Sequence, residues 1–396
     1  MWNSLALLLG ISFLFGIVIG VLPPLLAALK EEFHLTTLQI GMINSVFGLA
    51  RMVIDLPAGR YLRRAGSVPA LMGAVLLAIV GSLVMGSAGR YQVILAGRAL
   101  VGLGTGIAYV VILTVLFQDF PRTVRGRVTA LYESARTLSL GVASLGAGYL
   151  AQSLGWRGVV FSAGLAAGIA LGLAALWALC FGAADAAARM GPTGLVPNPH
   201  PRGDPSPALR RRPRGRLPIY GISFLLAFCW GGVLFTLFPL YGGGPLRLSP
   251  HIVGWALTLG AFSNVLLLFP LGWWSDHVGR IPVLSGGVGI LALAIFLIPH
   301  GGGPWSFVGI GALLGVGFSI WAQPPALLVE RSAGSETAAV VGSYRFASDV
   351  GYVSGPLVLG LFSSRLGPEL AFRFTALGLA LAVLTLVVDT GRGKFA

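Results

Sequence analysis

The chain reads as a succession of apolar stretches, each about as long as a bilayer is thick, separated by short polar breaks. They fall at 4–29, 37–58, 68–88, 91–117, 128–152 and 157–182, then at 218–241, 250–272, 281–299, 305–328, 338–362 and 367–388. A helix needs about 20 apolar residues to cross the hydrocarbon core. The pattern therefore predicts an all-α membrane protein with twelve transmembrane helices in two six-helix sets. The expected division is a first bundle at 1–182, a linker at 183–217 and a second bundle at 218–396. The linker is rich in Pro, Gly and Arg and holds the run Arg210-Arg211-Arg212-Pro213-Arg214-Gly215-Arg216. It has too few large apolar residues to fold alone. The first stretch is longer than the apolar region of a signal peptide and has no small-residue cleavage site, so it is read as a retained helix.

Composition narrows the class. Of 396 residues, 56% are hydrophobic and 10% charged, against about 25% charged in soluble domains. The two cysteines, Cys180 and Cys229, lie in apolar stretches and form neither a disulfide framework nor a metal-ligand spacing. The five histidines are scattered, and no phosphate-binding lysine motif occurs. No metal, cofactor or ATP hydrolysis is expected, and no enzymatic constellation stands out. A net charge of +14 would suggest nucleic acid in a soluble protein. Here the basic residues gather in alternate breaks. Arg60, Arg63, Arg64, Arg122, Arg125, Arg127, Arg280, Arg331, Arg392, Lys394 and the linker arginines share one side, against Lys30, Arg90, Arg157, Arg247, Arg365 and Arg373 on the other. Cytoplasmic loops retain Lys and Arg, so both termini are placed in the cytoplasm of a bacterial-type inner membrane. The basic linker also suits anionic lipid headgroups, and no nucleic-acid partner is expected.

The two sets are copies. Gly59, Gly66 and Pro69 match Gly272, Gly279 and Pro282 at a constant offset of 213, as do Pro57 with Pro270 and Gly102 and Gly104 with Gly315 and Gly317. Farther on the offset becomes 212 and pairs Tyr132 with Tyr344. Several matches in one order indicate a duplicated six-helix unit.

On these residues the whole chain resembles the major facilitator superfamily. Gly272 to Arg280, with Asp276 and Gly279, is similar to that family's Gly-x-x-x-Asp-x-x-Gly-Arg loop. Arg98, Gly102, Gly104 and Gly106 resemble its fourth-helix motif, and Gly351, Gly355, Pro356 and Gly360 its eleventh-helix pattern. The resemblance implies two bundles around a central cavity, rocking about a site near the midplane. It further implies that Asp276 faces the start of the fifth helix near Arg127, as a latch between halves while the cavity opens outward. The first copy carries Arg63 where the second has Asp276, so an asymmetric latch is expected, or one pairing Arg63 or Arg64 with Glu330 or Glu336. Pro324 and Pro325 should bend the tenth helix.

Seven charged residues fall inside apolar stretches: Arg51, Asp55, Arg98, Glu133, Arg136, Arg345 and Asp349. Such groups are costly in lipid unless paired or facing water. Arg51 with Asp55, Glu133 with Arg136 and Arg345 with Asp349 sit three or four residues apart, on one helix face each. They are read either as buried charge neutralising itself or as a network between halves in which Glu133 or Asp349 carries a proton. By the family's cavity-lining helices, Ser12, Thr105, Tyr109, Ser223, Trp230, Trp321 and Gln323 are cavity candidates, joined by Asn44 and Asn264.

The leading functional reading is a monomeric secondary transporter of a small organic solute, favoured as proton-coupled efflux. Uptake of an organic anion or other metabolite by symport or uniport is the alternative, and a lipid-handling or non-transporting membrane protein a further one. Two absences separate the chain from drug/proton antiporters of the family: no acidic residue in the first stretch, and Ala143-Ser144 where a Gly-Pro pair is common.

Overall fold

The computed structural model describes residues 2–190, 216–332 and 337–392; the side chains of 55–56, 58–61, 63–64, 122, 182–190, 337–338 and 388–392 lie outside the description. Every regular element among the described residues is helical. In order, α1 is Trp2–Glu32, α2 Thr37–Ala65, α3 Ser67–Gly86 and α4 Tyr91–Asp119. Next, α5 (122–154) and α6 (156–190) form one run, Arg122–Met190, broken at Gly155. In the second half α7 is Leu217–Gly243, α8 Pro250–Val278, α9 Arg280–His300, α10 Pro304–Glu330, α11 Thr337–Leu366 and α12 Pro368–Arg392.

Ten described helices are long and apolar enough to cross a membrane. One of the ten, Thr123–Phe181, contains both α5 and α6, and α11 is not among them. Resolving the first into two and adding the second recovers the twelve expected stretches. Arg345, Asp349 and the small polar residues of α11 dilute its hydropathy.

The duplication is visible in the backbone. Four glycines have left-handed φ: Gly66 (100°) and Gly279 (98°), 213 residues apart, and Gly155 (64°) and Gly367 (87°), 212 apart. Each is the whole turn between two helices, a conformation open to glycine without a Cβ penalty. The expected loops at 59–69 and 272–282 are accordingly shorter than the apolar pattern implied. α2 runs through Gly59 to Ala65 and α8 through Gly272 to Val278, so the motif is helical up to one glycine. The last helix of the first half runs past the apolar stretch that ends at 182. α6 continues to Met190, because Ala183, Ala184 and Ala186–Ala188 are strong helix formers; residues 191–215 lie outside the described set.

Packing inside each half uses the repeated glycines. A Cβ on Gly102 of α4 would lie 2.5 Å from the Phe47 carbonyl of α2, and one on Gly315 of α10 would lie 1.9 Å from that of Gly260 on α8. These pairs are related by the same offset, and small residues are what allow such approach in lipid. Large side chains such as Leu165, Leu179 and Trp305 are exposed on the outer faces, suited to lipid.

The halves touch along two seams. Between α2 and α11, the Ser45 hydroxyl donates to the Val353 carbonyl (2.7 Å), and a Cβ on Gly41 would lie 2.1 Å from the Pro356 oxygen. Between α5 and α8, the Thr258 hydroxyl donates to the Gly141 carbonyl (2.8 Å), Gly254 abuts Ser144, and Gln152 bonds His251 (2.7 Å). Both seams lie toward the Gly155 and Gly367 turns. Toward the Gly66 and Gly279 turns the halves diverge.

Candidate functional site

The divergence leaves a cavity of about 780 Å³ between the halves. Arg125 and Gly126 near the start of α5 and Gly272 near the end of α8 stand at its mouth, so it opens to the face carrying the Gly66 and Gly279 turns. Its walls come from α2, α4, α5, α7, α8, α10 and α11; among the described lining residues none comes from α1.

Interrupted helices shape its inner end. α7 widens into a π-helical segment, Trp230–Leu237, and α10 tightens into a 3₁₀ turn, Ser319–Ala322, just before Pro324 and Pro325. The Pro rings lack the N–H that an unbroken helix would use. The two irregular segments bring Trp230, Phe318 and Trp321 together, with Trp230 edge-on to Phe318 at 4.9 Å and 5.6 Å from Trp321 between centroids. π-type bulges recur at functional sites.

Polar groups of the cavity converge on Tyr109 of α4. Its hydroxyl donates to Glu133 Oε1 of α5 (3.3 Å). Arg51 of α2 lies over its ring at 5.4 Å, and Arg345 of α11 lies 4.7 Å from the same centroid. Arg136 donates to Glu133 Oε2 from Nε (3.0 Å) and Nη2 (2.9 Å). The side chain of Asp55, paired with Arg51 in the sequence reading, is outside the description. Arg345 and Asp349 both line the cavity one turn apart.

Arg98 stands apart from this group. It is fully buried outside the cavity lining, stacked 4.4 Å over Phe47, and donates from Nη2 to Asn44 Oδ1 (3.2 Å). Asn44 in turn donates to the Phe235 carbonyl and the Thr236 hydroxyl, each at 2.9 Å. This chain of hydrogen bonds links α4 and α2 to the π segment of α7, across the two halves.

Of the cavity candidates, Tyr109, Trp230, Asn264, Trp321 and Gln323 line the cavity; Ser12, Asn44, Thr105 and Ser223 do not. Ser12, Thr105 and Ser223 each bond the carbonyl one turn back on their own helix, which satisfies a hydroxyl in lipid without a partner helix. In this state all three face packing inside their half, and Asn44 makes an interhelical bond. The lining also includes Arg125, Ser134, Thr137, Tyr344, Ser348 and Tyr352. Tyr344, Ser348 and Tyr352 share a face with Arg345, a helical spacing that an intramembrane charge could have flagged.

At the motif, Arg280 pairs with Glu330 at the end of α10 and lies 3.6 Å from Asp276, with Gln323 at 3.5 Å. Asp276 is two-thirds exposed and turned toward Arg280 across the Gly279 turn, so the expected contact near Arg127 is not made in this state. Glu330 is taken by Arg280 within the second half; the side chains of Arg63 and Arg64, and Glu336, lie outside the description. Gly59 is likewise described by backbone alone.

Comparison with known proteins agrees with this architecture. The Major Facilitator Superfamily model matches residues 8–249 and 244–394. An uncharacterized MFS-type transporter of Yersinia pestis is 26% identical over 382 residues, covering 95% of this chain and 92% of its own length. A probable polyol transporter of Arabidopsis thaliana is 29% identical over 150 residues, 37% of this chain and 30% of that protein. Among solved structures, the nucleoside transporter NupG superposes with a TM-score of 0.73 at 12% identity, covering 98% of this chain and 99% of that one. At that identity the likeness is one of fold.

Proposed function

The chain belongs to the major facilitator superfamily and is an integral membrane transporter, and from that premise we propose that it moves a small organic solute by alternating access between its two halves. The observation that carries the reading is the cavity itself: about 780 Å³ between the halves, open to one face while the α2–α11 and α5–α8 seams close the other. A transporter alternates between such a state and its mirror, and repeat-built carriers do so by rocking one half against the other. With the positive-inside orientation, the open face is cytoplasmic, the two bundles are 1–182 and 218–396, and the protein acts as a monomer.

Proton-coupled efflux is the finer form of this reading. Its support is the pair of carboxylates in the cavity, Glu133 and Asp349. Both line a cavity whose walls also carry arginines of both halves, so protonation would change the charge balance there. Asp276 completes the proposal as a latch that engages α5 only when the open face closes.

Purified protein reconstituted in liposomes with a pH-sensitive dye and a solute panel tests both levels. Solute-dependent flux is expected, with proton movement lost in Asp349→Asn or Glu133→Gln. Flux independent of pH at every solute would overturn the coupling and leave a uniporter; no flux with any solute would overturn transport.

A further inference from the structure

We propose that the inner end of the cavity, lined by Ser134 and Thr137 of α5, Trp230 of α7 and Asn264 of α8, is a ring-binding subsite, and that the part of the solute it takes is an uncharged, planar N-heteroaromatic ring. The proposal rests on the transporter reading above and names the class of its solute.

A hydroxyl inside a membrane helix ordinarily bonds a carbonyl one turn back on its own helix. Ser12, Thr105, Thr114, Ser139, Ser144 and Ser223 do so here, at 2.7–2.9 Å. Ser134 breaks the rule. It lines the cavity, is 7% exposed, and its Oγ has no hydrogen-bond partner among the described residues. A buried hydroxyl in that condition costs free energy until a partner arrives. Thr137 is buried three residues farther along the same helix and lines the same space. From the other half, Asn264 is buried too, and its Nδ2 has the Gly315 carbonyl at 3.5 Å, the outer limit of a hydrogen bond. Three polar side chains from both halves are thus held out of bulk water with hydrogen-bonding capacity to spare.

Thr137, Trp230 and Asn264 also bound a recess of about 20 Å³ that lies against the α5–α8 seam. Its other walls are mostly apolar, Leu140, Leu234, Leu257 and Ala261 among them, so a charge would be poorly solvated there. The recess has room for about one methyl-sized group. The aromatic wall fixes the shape of what enters the cavity end. Trp321 lies 5.6 Å from Trp230 at 55°, and Phe318 stands edge-on to Trp230 at 4.9 Å. A flat ring laid on this wall gains the stacking that aromatic pairs show beyond area burial. Its edge atoms meet Ser134, Thr137 and Asn264, which supply both donors and acceptors. A saturated polyol suits the space less well. Each of its hydroxyls gives up water and needs its own partner, and three polar side chains cannot serve a ring of them. The bound ring touches α5 of the first half and α7 and α8 of the second, so it contacts both bodies of the rocking motion.

The test is calorimetric titration of the full-length protein in detergent with purine, pyrimidin-2-one and nicotinamide, and with cyclohexanecarboxamide and myo-inositol as saturated counterparts. At least one heteroaromatic is expected to bind about tenfold more tightly than either saturated ring. That preference should vanish in Trp230→Leu and survive in part in Trp230→Phe. Ser134→Ala should weaken heteroaromatic binding about fivefold and leave melting without ligand unchanged or raised, since a hydroxyl with no partner holds nothing in the fold. Lowered melting with unchanged affinity would make Ser134 structural and overturn its place in the subsite. Equal or tighter binding of a saturated ring, or no binding of any heteroaromatic, overturns the proposal. Heteroaromatic binding in detergent without flux of the bound compound in liposomes would sink the transport reading alone. Flux of myo-inositol at the same rate in wild type and Trp230→Leu would sink the subsite alone.

Discussion

Glu133 of α5 and Arg345 of α11 are repeat-related positions, 212 residues apart, and both meet Tyr109: the carboxylate accepts its hydroxyl at 3.3 Å and the guanidinium lies 4.7 Å from its ring centroid. One duplicated position has thus become acidic in the first half and basic in the second. The two charges face each other across the cavity with a tyrosine between them. A carboxylate on one half and a guanidinium on the other attract each other to a degree that depends on how far apart the halves stand.

Glu133→Gln removes the charge that holds both Arg136 and Tyr109. Removing one member of a hydrogen-bonded charge pair leaves its partner uncompensated. Solute flux in liposomes is expected to fall at least about tenfold, and whatever pH dependence remains should flatten. Wild-type flux in this variant would remove Glu133 from the mechanism.

Asn44→Ala removes the hydrogen bond that Arg98 Nη2 donates to the Asn44 side chain, together with the two bonds from Asn44 to α7. Leaving a fully buried guanidinium in that condition costs about 1–3 kcal/mol. A lower melting temperature is expected in detergent, with a smaller drop for Thr236→Val, which breaks one contact. Unchanged melting in Asn44→Ala would show that the bonds contribute nothing net.

Gly41→Ala places a Cβ 2.1 Å from the Pro356 oxygen in the α2–α11 seam. Overpacking of this kind costs about 1–3 kcal/mol, charged to the state in which the seam is closed. The population should shift toward the opposite-facing state, read as increased maleimide labelling of a cysteine placed at Ser45 from the Gly155 face. Labelling that stays at background would mean the seam yields locally.

Thr129 and Gln323 line the cavity, whereas Ser144 is buried at the α5–α8 seam. Single cysteines at Thr129 and Gln323, in a background with Cys180 and Cys229 replaced by Ala, should react with a membrane-impermeant maleimide in inside-out vesicles, and one at Ser144 should not. The reverse sidedness would invert the assigned orientation.

Asp276→Asn removes the motif carboxylate without touching the cavity. Among the described residues its ion pair is with Arg280, at 3.6 Å and largely in water, where such a pair is worth little. Stability should be unchanged while transport falls, because the latch acts in the other state. Full transport would refute the latch.

Much of the protein is legible in its sequence, for a physical reason. The bilayer demands apolar helices of set length, so hydropathy alone locates the spans, and a steady offset between landmarks reveals the duplication. The turns at Gly66 and Gly279 were marked by the same logic, since only a glycine tolerates a φ near 100°. The intramembrane charges were equally visible, because lipid makes each of them an exception. What only tertiary structure decided was which of them meet. Spacing pairs Glu133 with Arg136 on one helix, but that Arg51 and Arg345 share the ring of Tyr109 depends on three helices crossing at one depth. Arg98 and Arg51 look alike in sequence. One is sealed behind Phe47 and Asn44 and the other faces the cavity, because helix rotation, set by glycine contacts such as Gly102 on Phe47, turns one toward the packed seam and the other toward water.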